Sequence, residues 1–191
     1  MQLNSERSEA AVVFETQRLV CRHIVPGDAQ AMFVVYSDVD AMRWVGDGSV
    51  LSLAQCRDWI AITQRNYANK GYGMFALECL SSGAVIGFCG IVHPGGQPEA
   101  EIKYALQRNR WGEGIATEAV RALLAAAPAL GVQRLIATVA PENLASQAVL
   151  RKTGMERGEL RINEDGSAIQ LFSCSPGVSR KESGDPQYRL Y

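Results

Sequence analysis

The sequence predicts an α/β (α+β) fold: a single mixed, mostly antiparallel sheet with helices on its faces. Segments that alternate apolar and polar residues, as strands do, are interspersed with segments of helical periodicity. Residues 100–139 read as strand, helix and strand, which predicts a right-handed crossover between two parallel strands. Short turns join the remaining strands, so we expect these to pair antiparallel.

The first half of the chain predicts a strand, two helices and a hairpin. Residues 14–25 alternate well enough for one strand. A helix follows, with Asp28 as its N-cap. Residues 52–71 predict a second helix that begins at a serine cap and ends near a glycine. Residues 72–96 predict two strands around a turn at Ser82 and Gly83.

The second half predicts the crossover unit and a final hairpin. Residues 99–107 and 132–140 predict strands, and an apolar helical segment lies between them. Residues 143–154 predict a helix that begins at an asparagine cap and ends before a glycine. Two last strands are expected around a turn at Asp165 and Gly166.

Composition excludes several classes of protein. The 191 residues suggest one domain, and a net charge of −1 provides no general attraction for nucleic acid or an anionic membrane. The five cysteines form no CxxC pair, which favours a reducing compartment, and two histidines make a zinc site unexpected. The N-terminus has no apolar signal segment and no apolar stretch is long enough to span a bilayer, so we expect a cytoplasmic protein.

The stretch NRWGEGIATEAVRALL, residues 109–124, predicts a phosphate site at the start of a helix. The first helical N–H groups lack intrahelical partners and carry partial positive charge, which suits phosphate. Gly112 and Gly114 permit close approach of a ligand, Ala116 is small, and Thr117 adds a hydroxyl donor. The spacing fits neither the nucleotide P-loop nor the dinucleotide fingerprint. The alternative is that the glycines only form a tight turn.

Together with six further stretches, this loop resembles the GNAT superfamily of N-acetyltransferases, in particular the ribosomal-protein-alanine/serine branch (RimJ/RimL-like). The matching stretches, in the order of the family, are FETQRLVCR, SDVDAMRWVG, GAVIGFCGI, AEIKYAL, RWGEGIATEAVRALL, RLIATVAPENLASQAVLRKTGM and RGELR. The resemblance implies a GNAT domain over residues 12–174, with a splayed central pair of parallel strands. Residues 1–11 are then a flexible N-terminus, and residues 175–191 a C-terminal tail or an added strand.

The resemblance also implies acetyl-CoA as the cofactor and assigns residues to its parts. The pyrophosphate is expected at the loop that contains Trp111, Gly112, Glu113, Gly114, Ile115, Ala116 and Thr117. The pantetheine arm is expected along the splayed strand at Tyr104, Ala105 and Leu106. Asn143 matches a position that touches the arm, and Ser146 matches one near the thioester sulfur.

Acetyl transfer to an amine needs a base, oxyanion donors and an acid for the leaving thiolate. Glu101 is the candidate base, directly or through a water; alternatively it is a solvated carboxylate at a sheet edge. Lys103 is expected on the same strand face, where it would favour the ionised carboxylate. Ser146 is the candidate acid or sulfur-positioning group, or an ordinary first-turn residue. His93 could be a base at a strand end, although its surroundings resemble a loop.

The acceptor side is less well marked by the sequence. Arg43 and Trp44 fall where related proteins build an acceptor-side loop, although the tryptophan could equally belong to the core. The sequence and the resemblance predict direct transfer in a ternary complex to a primary amine, either a protein N-terminus or a small molecule. Homodimers are frequent among relatives, and neither nucleic acid nor membrane is expected as a partner. The alternatives are a non-catalytic acyl-CoA-binding module and an unrelated phosphate-binding fold.

Overall fold

The structure, a computed structural model, describes residues 10–163, 166–176 and 188–191. The strands of the described part are β1 (Val12–Thr16), β2 (Leu19–His23), β3 (Met74–Cys79), β4 (Val85–Val92), β5 (Glu101–Leu106), β6 (Leu135–Val139), β7 (Glu156–Ile162), β8 (Ala168–Cys174) and β9 (Tyr188–Leu190). They form one sheet in the order β7-β8-β6-β5-β4-β3-β2-β1-β9.

Helices cover both faces of this sheet. They are α1 (Ala29–Tyr36), α2 (Val39–Met42), α3 (Leu53–Lys70), α4 (Ile115–Ala126) and α5 (Leu144–Lys152). Apolar side chains of α1 and α3 form one buried cluster with the sheet, and those of α4 and α5 form a second. The predicted fold class, a mixed and mostly antiparallel sheet with flanking helices, is confirmed.

The predicted first strand is wrong in one respect, because residues 14–25 contain a turn. The hydroxyl Oγ1 of Thr16 accepts hydrogen bonds from the N–H groups of Arg18 (3.3 Å) and Leu19 (3.0 Å). This turn divides the segment into β1 and β2, which pair antiparallel. A threonine side chain replaces the glycine or proline that normally signals a turn, so the alternation continues across it.

Asp28 precedes α1 as predicted, but its side chain does not cap the helix. Its carboxylate accepts two hydrogen bonds from the guanidinium of Arg22, at 2.8 and 3.0 Å, and one from the N–H of Val25. Arg22 is only 2% exposed, and a buried guanidinium requires a charged partner. The expected capping by Asp28 is therefore replaced by a buried ion pair between β2 and the start of α1.

The other helix ends agree with the sequence. Ser52 and Gln55 form a capping box at the start of α3, and Gly71 ends that helix with a φ of 80°. Asn143 caps α5 by accepting a hydrogen bond from the N–H of Ser146 at 3.0 Å. The sequence did not predict α2, which is a single turn capped by the carboxylate of Asp38.

The crossover unit contains the parallel pair of the sheet. β5 pairs with β4 over six residues, and β6 pairs with β8 over five. Between β5 and β6, by contrast, the described residues form one parallel pair, Glu101 with Ile136. The two strands therefore meet near their N-terminal ends and separate beyond them, which is the splay that the family resemblance implied.

The chain ends form the outer edge of the sheet. β9 lies antiparallel to β1, with Phe14 opposite Leu190. Most of the expected flexible segment 1–11, most of the tail 175–191 and the predicted turn residue Asp165 lie outside the described residues. None of the helices in the described part is both long and apolar enough to cross a bilayer.

Candidate active site

The glycine loop turns the chain from the end of β5 into α4. Gly112 and Gly114 have φ values of 79° and 77°, a left-handed conformation that favours glycine. Gly114 is the N-cap of α4, so the N–H groups of Ile115, Ala116 and Thr117 have no intrahelical acceptor. With the partial positive charge of the helix end, these N–H groups suit a phosphate ligand.

Trp111 connects the loop to the strand that precedes it. Its indole Nε1–H donates to the carbonyl oxygen of Leu106 at 3.1 Å, while 47% of the residue remains exposed. The loop is therefore fixed to the end of β5, and the indole forms part of its surface.

The turn between β1 and β2 braces the same loop, a feature that the sequence did not reveal. Glu118, in the first turn of α4, accepts hydrogen bonds from Thr16 Oγ1 (2.6 Å) and Arg18 Nε (2.6 Å). Arg18 Nη1 also donates to the carbonyl oxygen of Glu113, inside the loop, at 2.9 Å. The Arg18–Glu118 pair thus holds the loop against a turn about 100 residues away in the sequence.

The splay leaves a gap along β5 on the side of β6. Gln107 N–H donates to Ile86 O on β4, and the direction of backbone groups alternates along a strand. The N–H and C=O groups of Ile102, Tyr104 and Leu106 are therefore turned towards the gap. It lies between the single β5–β6 pair and the glycine loop.

The start of α5 brings Ser146 to this gap. The hydroxyls of Ser146 and Tyr104 lie 2.7 Å apart, which connects α5 to β5 across the splay. Burial raises the pKa of Tyr104 to about 12, so its phenol stays protonated at neutral pH. The structure therefore brings together Ser146, Tyr104 and the cap residue Asn143, which the family resemblance assigned to the cofactor arm and its sulfur. Their contact with the cofactor stays a prediction.

Glu101 lies where β5 and β6 separate and is 2% exposed. Its Oε1 accepts a hydrogen bond from the N–H of Thr138 at 3.1 Å and another from the Thr138 hydroxyl. The ammonium of Lys103, on the same strand face as predicted, forms an ion pair with Oε1. Its Oε2 accepts a hydrogen bond from Gln97 Nε2 at 3.2 Å. The carboxylate is thus buried and bonded at the splay, unlike the solvated edge group of the alternative interpretation.

The remaining candidates lie on the periphery of this arrangement. Arg43 stacks on Trp44, its guanidinium carbon 4.8 Å from the ring centroid, and the tryptophan is 39% exposed rather than part of the core. The ion pair of Arg108 with Asp38 at 3.3 Å brings the neighbouring α2 to the end of β5. His93 lies between the Tyr72 hydroxyl (2.9 Å) and the Gln97 carbonyl (3.0 Å).

The five free cysteines differ in how readily they ionise, and four of them are buried. Burial raises the pKa of Cys21, Cys56, Cys89 and Cys174, which suppresses their thiolates. Hydrogen bonds from Ser81 and Ser82 lower the pKa of Cys79 to about 7, but Cys79 is the last residue of β3, and β4 lies between that strand and β5. Within the described ranges, no group of three or more His, Cys, Asp or Glu residues could hold a metal ion.

Comparison with known proteins gives a consistent picture. The sequence profile of the acetyltransferase (GNAT) domain matches residues 18–156. The uncharacterized N-acetyltransferase p20 of Bacillus licheniformis is 30% identical over 167 residues, which cover 84% of this chain and 93% of the relative. The uncharacterized N-acetyltransferase YoaA of Bacillus subtilis is 31% identical over 153 residues, which cover 78% of this chain and 86% of the relative.

Solved structures share the fold. A GNAT-family acetyltransferase from Bacillus anthracis superposes with a TM-score of 0.73 at 21% identity, over 86% of this chain and 98% of that one. RimL, a ribosomal alpha-N-protein acetyltransferase in complex with coenzyme A, has a TM-score of 0.73 at 18% identity, over 88% of this chain and 99% of that one. With the domain profile and the two relatives, these findings show that the chain belongs to the GNAT family and is an N-acetyltransferase.

Proposed function

We propose that the protein transfers an acetyl group from acetyl-CoA to a primary amine, by direct attack within a ternary complex. The observation that carries this proposal is the gap between β5 and β6, which opens at Glu101 and ends at the glycine loop. Strand-like amides fit the backbone groups of β5, and a pyrophosphate fits the free N–H groups of α4. Acetyl-CoA combines both chemical features in one molecule and supplies the acetyl donor.

The residues around the gap match the requirements of the reaction. The amine nitrogen forms a bond to the acetyl carbon, the carbon–sulfur bond breaks, and one proton moves from nitrogen towards sulfur. Glu101 Oε2, which holds a single bond to Gln97, is the proposed proton acceptor, directly or through a water. The hydroxyl of Ser146 is the proposed proton donor at the sulfur position. The Tyr104 hydroxyl holds it there at 2.7 Å.

The proposed acceptor is a protein N-terminus, with small-molecule amines as the second class. The resemblance to ribosomal-protein N-acetyltransferases supports the first class, and RimL, which acts on a ribosomal protein, shares the fold. The exposed pair Arg43 and Trp44 is the proposed acceptor-side contact, because it borders the end of β5 through α2 and Arg108.

Free-thiol release from acetyl-CoA, measured with N-terminal peptides, polyamines, amino acids and aminoglycosides, tests the proposal. We expect release that depends on one class of amine. Ser146→Ala should lower kcat by about 100-fold, the lower end of the contribution of one acid–base group, while the Kd of acetyl-CoA changes less than about twofold. An undiminished kcat would remove Ser146 from the mechanism. Acetyl-CoA binding without release for any amine class would instead favour a non-catalytic acyl-CoA-binding module.

A further inference from the structure

The parallel ladder between β5 and β6 stops at an identifiable hydrogen bond. The N–H of Ile136 donates to the carbonyl oxygen of Ala100 at 3.0 Å. In a regular parallel ladder the bonds repeat every two residues, so the N–H of Thr138 would donate to Ile102 O. Instead, it donates to Glu101 Oε1 at 3.1 Å. The carboxylate of Glu101, a side chain of β5, therefore replaces the backbone carbonyl of Ile102 as the acceptor for this N–H.

The surroundings of the carboxylate fix it in this position. Oε1 also receives the hydroxyl of Thr138 and the ammonium of Lys103, which itself donates to Thr138 Oγ1 at 3.3 Å. Gln97 Nε2 donates to the second oxygen, Oε2. A buried carboxylate at 2% exposure is stable only with such charged and hydrogen-bonding partners.

From this geometry we infer that Glu101 is a positioning residue for the cofactor, because its carboxylate keeps β5 and β6 apart. By satisfying the N–H of Thr138, it removes the donor that would extend the ladder. The carbonyl of Ile102 and both backbone groups of Tyr104 are then left for a strand-like ligand. The inference rests on the proposed function, in which the pantetheine arm of acetyl-CoA occupies this gap.

The two carboxylate oxygens of Glu101 have different partners, so its role in holding the strands apart can be tested separately from a role as the base. Oε1 accepts the N–H of Thr138 and pairs with the ammonium of Lys103, whereas Oε2 accepts a hydrogen bond from Gln97. A glutamine at position 101 can still present a carbonyl oxygen to the N–H of Thr138, but it cannot accept a proton at neutral pH. A leucine of similar size can do neither. The two substitutions therefore distinguish the separation of β5 from β6 from the transfer of a proton to Glu101.

The test compares Glu101→Gln, Glu101→Leu and the exposed control Glu99→Leu, with calorimetric Kd values for CoA. Glu101→Gln and Glu99→Leu should stay within about threefold of the wild type. Glu101→Leu should weaken binding about tenfold, because closing the ladder removes two backbone hydrogen bonds to the ligand. Wild-type affinity in a folded Glu101→Leu variant would overturn the inference, as would a Glu101→Gln variant as weak as Glu101→Leu.

Hydrogen exchange on the wild-type protein gives a second test that does not depend on whether a variant folds. Without ligand, the amide of Thr138 should be protected and that of Tyr104 should exchange faster. Added CoA should protect Tyr104. An amide of Tyr104 that is already protected without ligand would show that the strands are paired there and would overturn the inference. Failure of wild-type protein to bind CoA would instead contradict the proposed function.

Discussion

At the scale of single residues, the glycine loop shows why a residue type is required at one position. Gly114 combines a φ of 77° with the N-cap position of α4, and a Cβ there would lie 3.7 Å from the guanidinium of Arg18. A larger side chain would be strained by the backbone and would also project among the free N–H groups. The conformation and the ligand site therefore both require glycine.

Gly114→Glu should abolish CoA binding, because it adds bulk and a negative charge where the pyrophosphate is proposed to lie. Gly131→Glu is the matched control, since Gly131 has a φ of 78° and open space around its Cβ position. Both variants should lose about 1–2 kcal/mol of stability from the left-handed backbone. Calorimetry should detect CoA binding only in the control. Normal affinity in folded Gly114→Glu would contradict the loop assignment.

Some features of the candidate site could be predicted from the sequence, and others could not. Asn143, Ser146 and the glycine loop were placed on the correct elements, because capping and turn signals are local. The bond between Arg18 and Glu118 joins residues 100 positions apart. The bonds of Glu101 to Thr138 depend on the point at which two strands separate. Neither contact has a local signature, so the sequence could not predict them.

At the scale of elements, the ion pair of Arg22 and Asp28 connects the sheet to its helical layer. Arg22 also donates to Glu78 on β3 at 3.0 Å, so one guanidinium joins two strands and the start of α1. Burial lowers the pKa of Arg22, but the hydrogen bonds and charges of Asp28 and Glu78 outweigh this effect and raise it, so the guanidinium stays charged. The cluster fixes α1 over the face of the sheet that carries Lys103 and Glu101.

Asp28→Ala should lower the free energy of unfolding by about 3–5 kcal/mol, because it leaves a buried guanidinium without its main partner. Asp58→Ala removes an exposed carboxylate of α3 and should change the free energy of unfolding by less than about 0.5 kcal/mol. Urea denaturation followed by circular dichroism measures both. If Asp28→Ala cannot be folded, Asp28→Asn should show an intermediate loss; equal stability of Asp28→Asn and wild type would contradict a structural role for this charge.

Elements with strong local signals were predicted well, and those held by distant contacts were not. α3 begins at a capping box and ends at a left-handed glycine, so both of its ends could be read from the sequence. The division of β1 from β2 depends on a threonine hydroxyl, and α2 is a single turn. Such short elements carry too few residues for a periodic pattern to appear.

At the scale of the whole molecule, the sheet consists of two blocks. One block contains β1 to β5 with β9, and the other contains β6, β7 and β8. One parallel residue pair and the bonds of Glu101 and Lys103 to Thr138 join them within the described sheet, together with the packing of α4 and α5. A ligand in the gap adds contacts to both blocks and should stabilise the fold as a unit.

Acetyl-CoA should therefore raise the melting temperature. At about 100 times its Kd, a ligand adds about 2.7 kcal/mol, which for a chain of this size corresponds to about 5–10 °C. Scanning fluorimetry with increasing acetyl-CoA measures the shift, and Gly114→Glu should show none. A saturating ligand without any shift, or the same shift in Gly114→Glu, would argue against binding at the proposed site.

The chemistry of the gap between β5 and β6 also determines which experiments can detect its contribution to binding. Its walls along β5 present main-chain N–H and C=O groups, and these are the same whichever side chain a position carries. Alanine at Ile102 or Leu106 would therefore leave them intact and report only on packing. Replacing the peptide bond at Tyr104 by an ester, which deletes one N–H and keeps the side chain, addresses the group itself. Relatives can diverge widely along this strand and still retain the same surface.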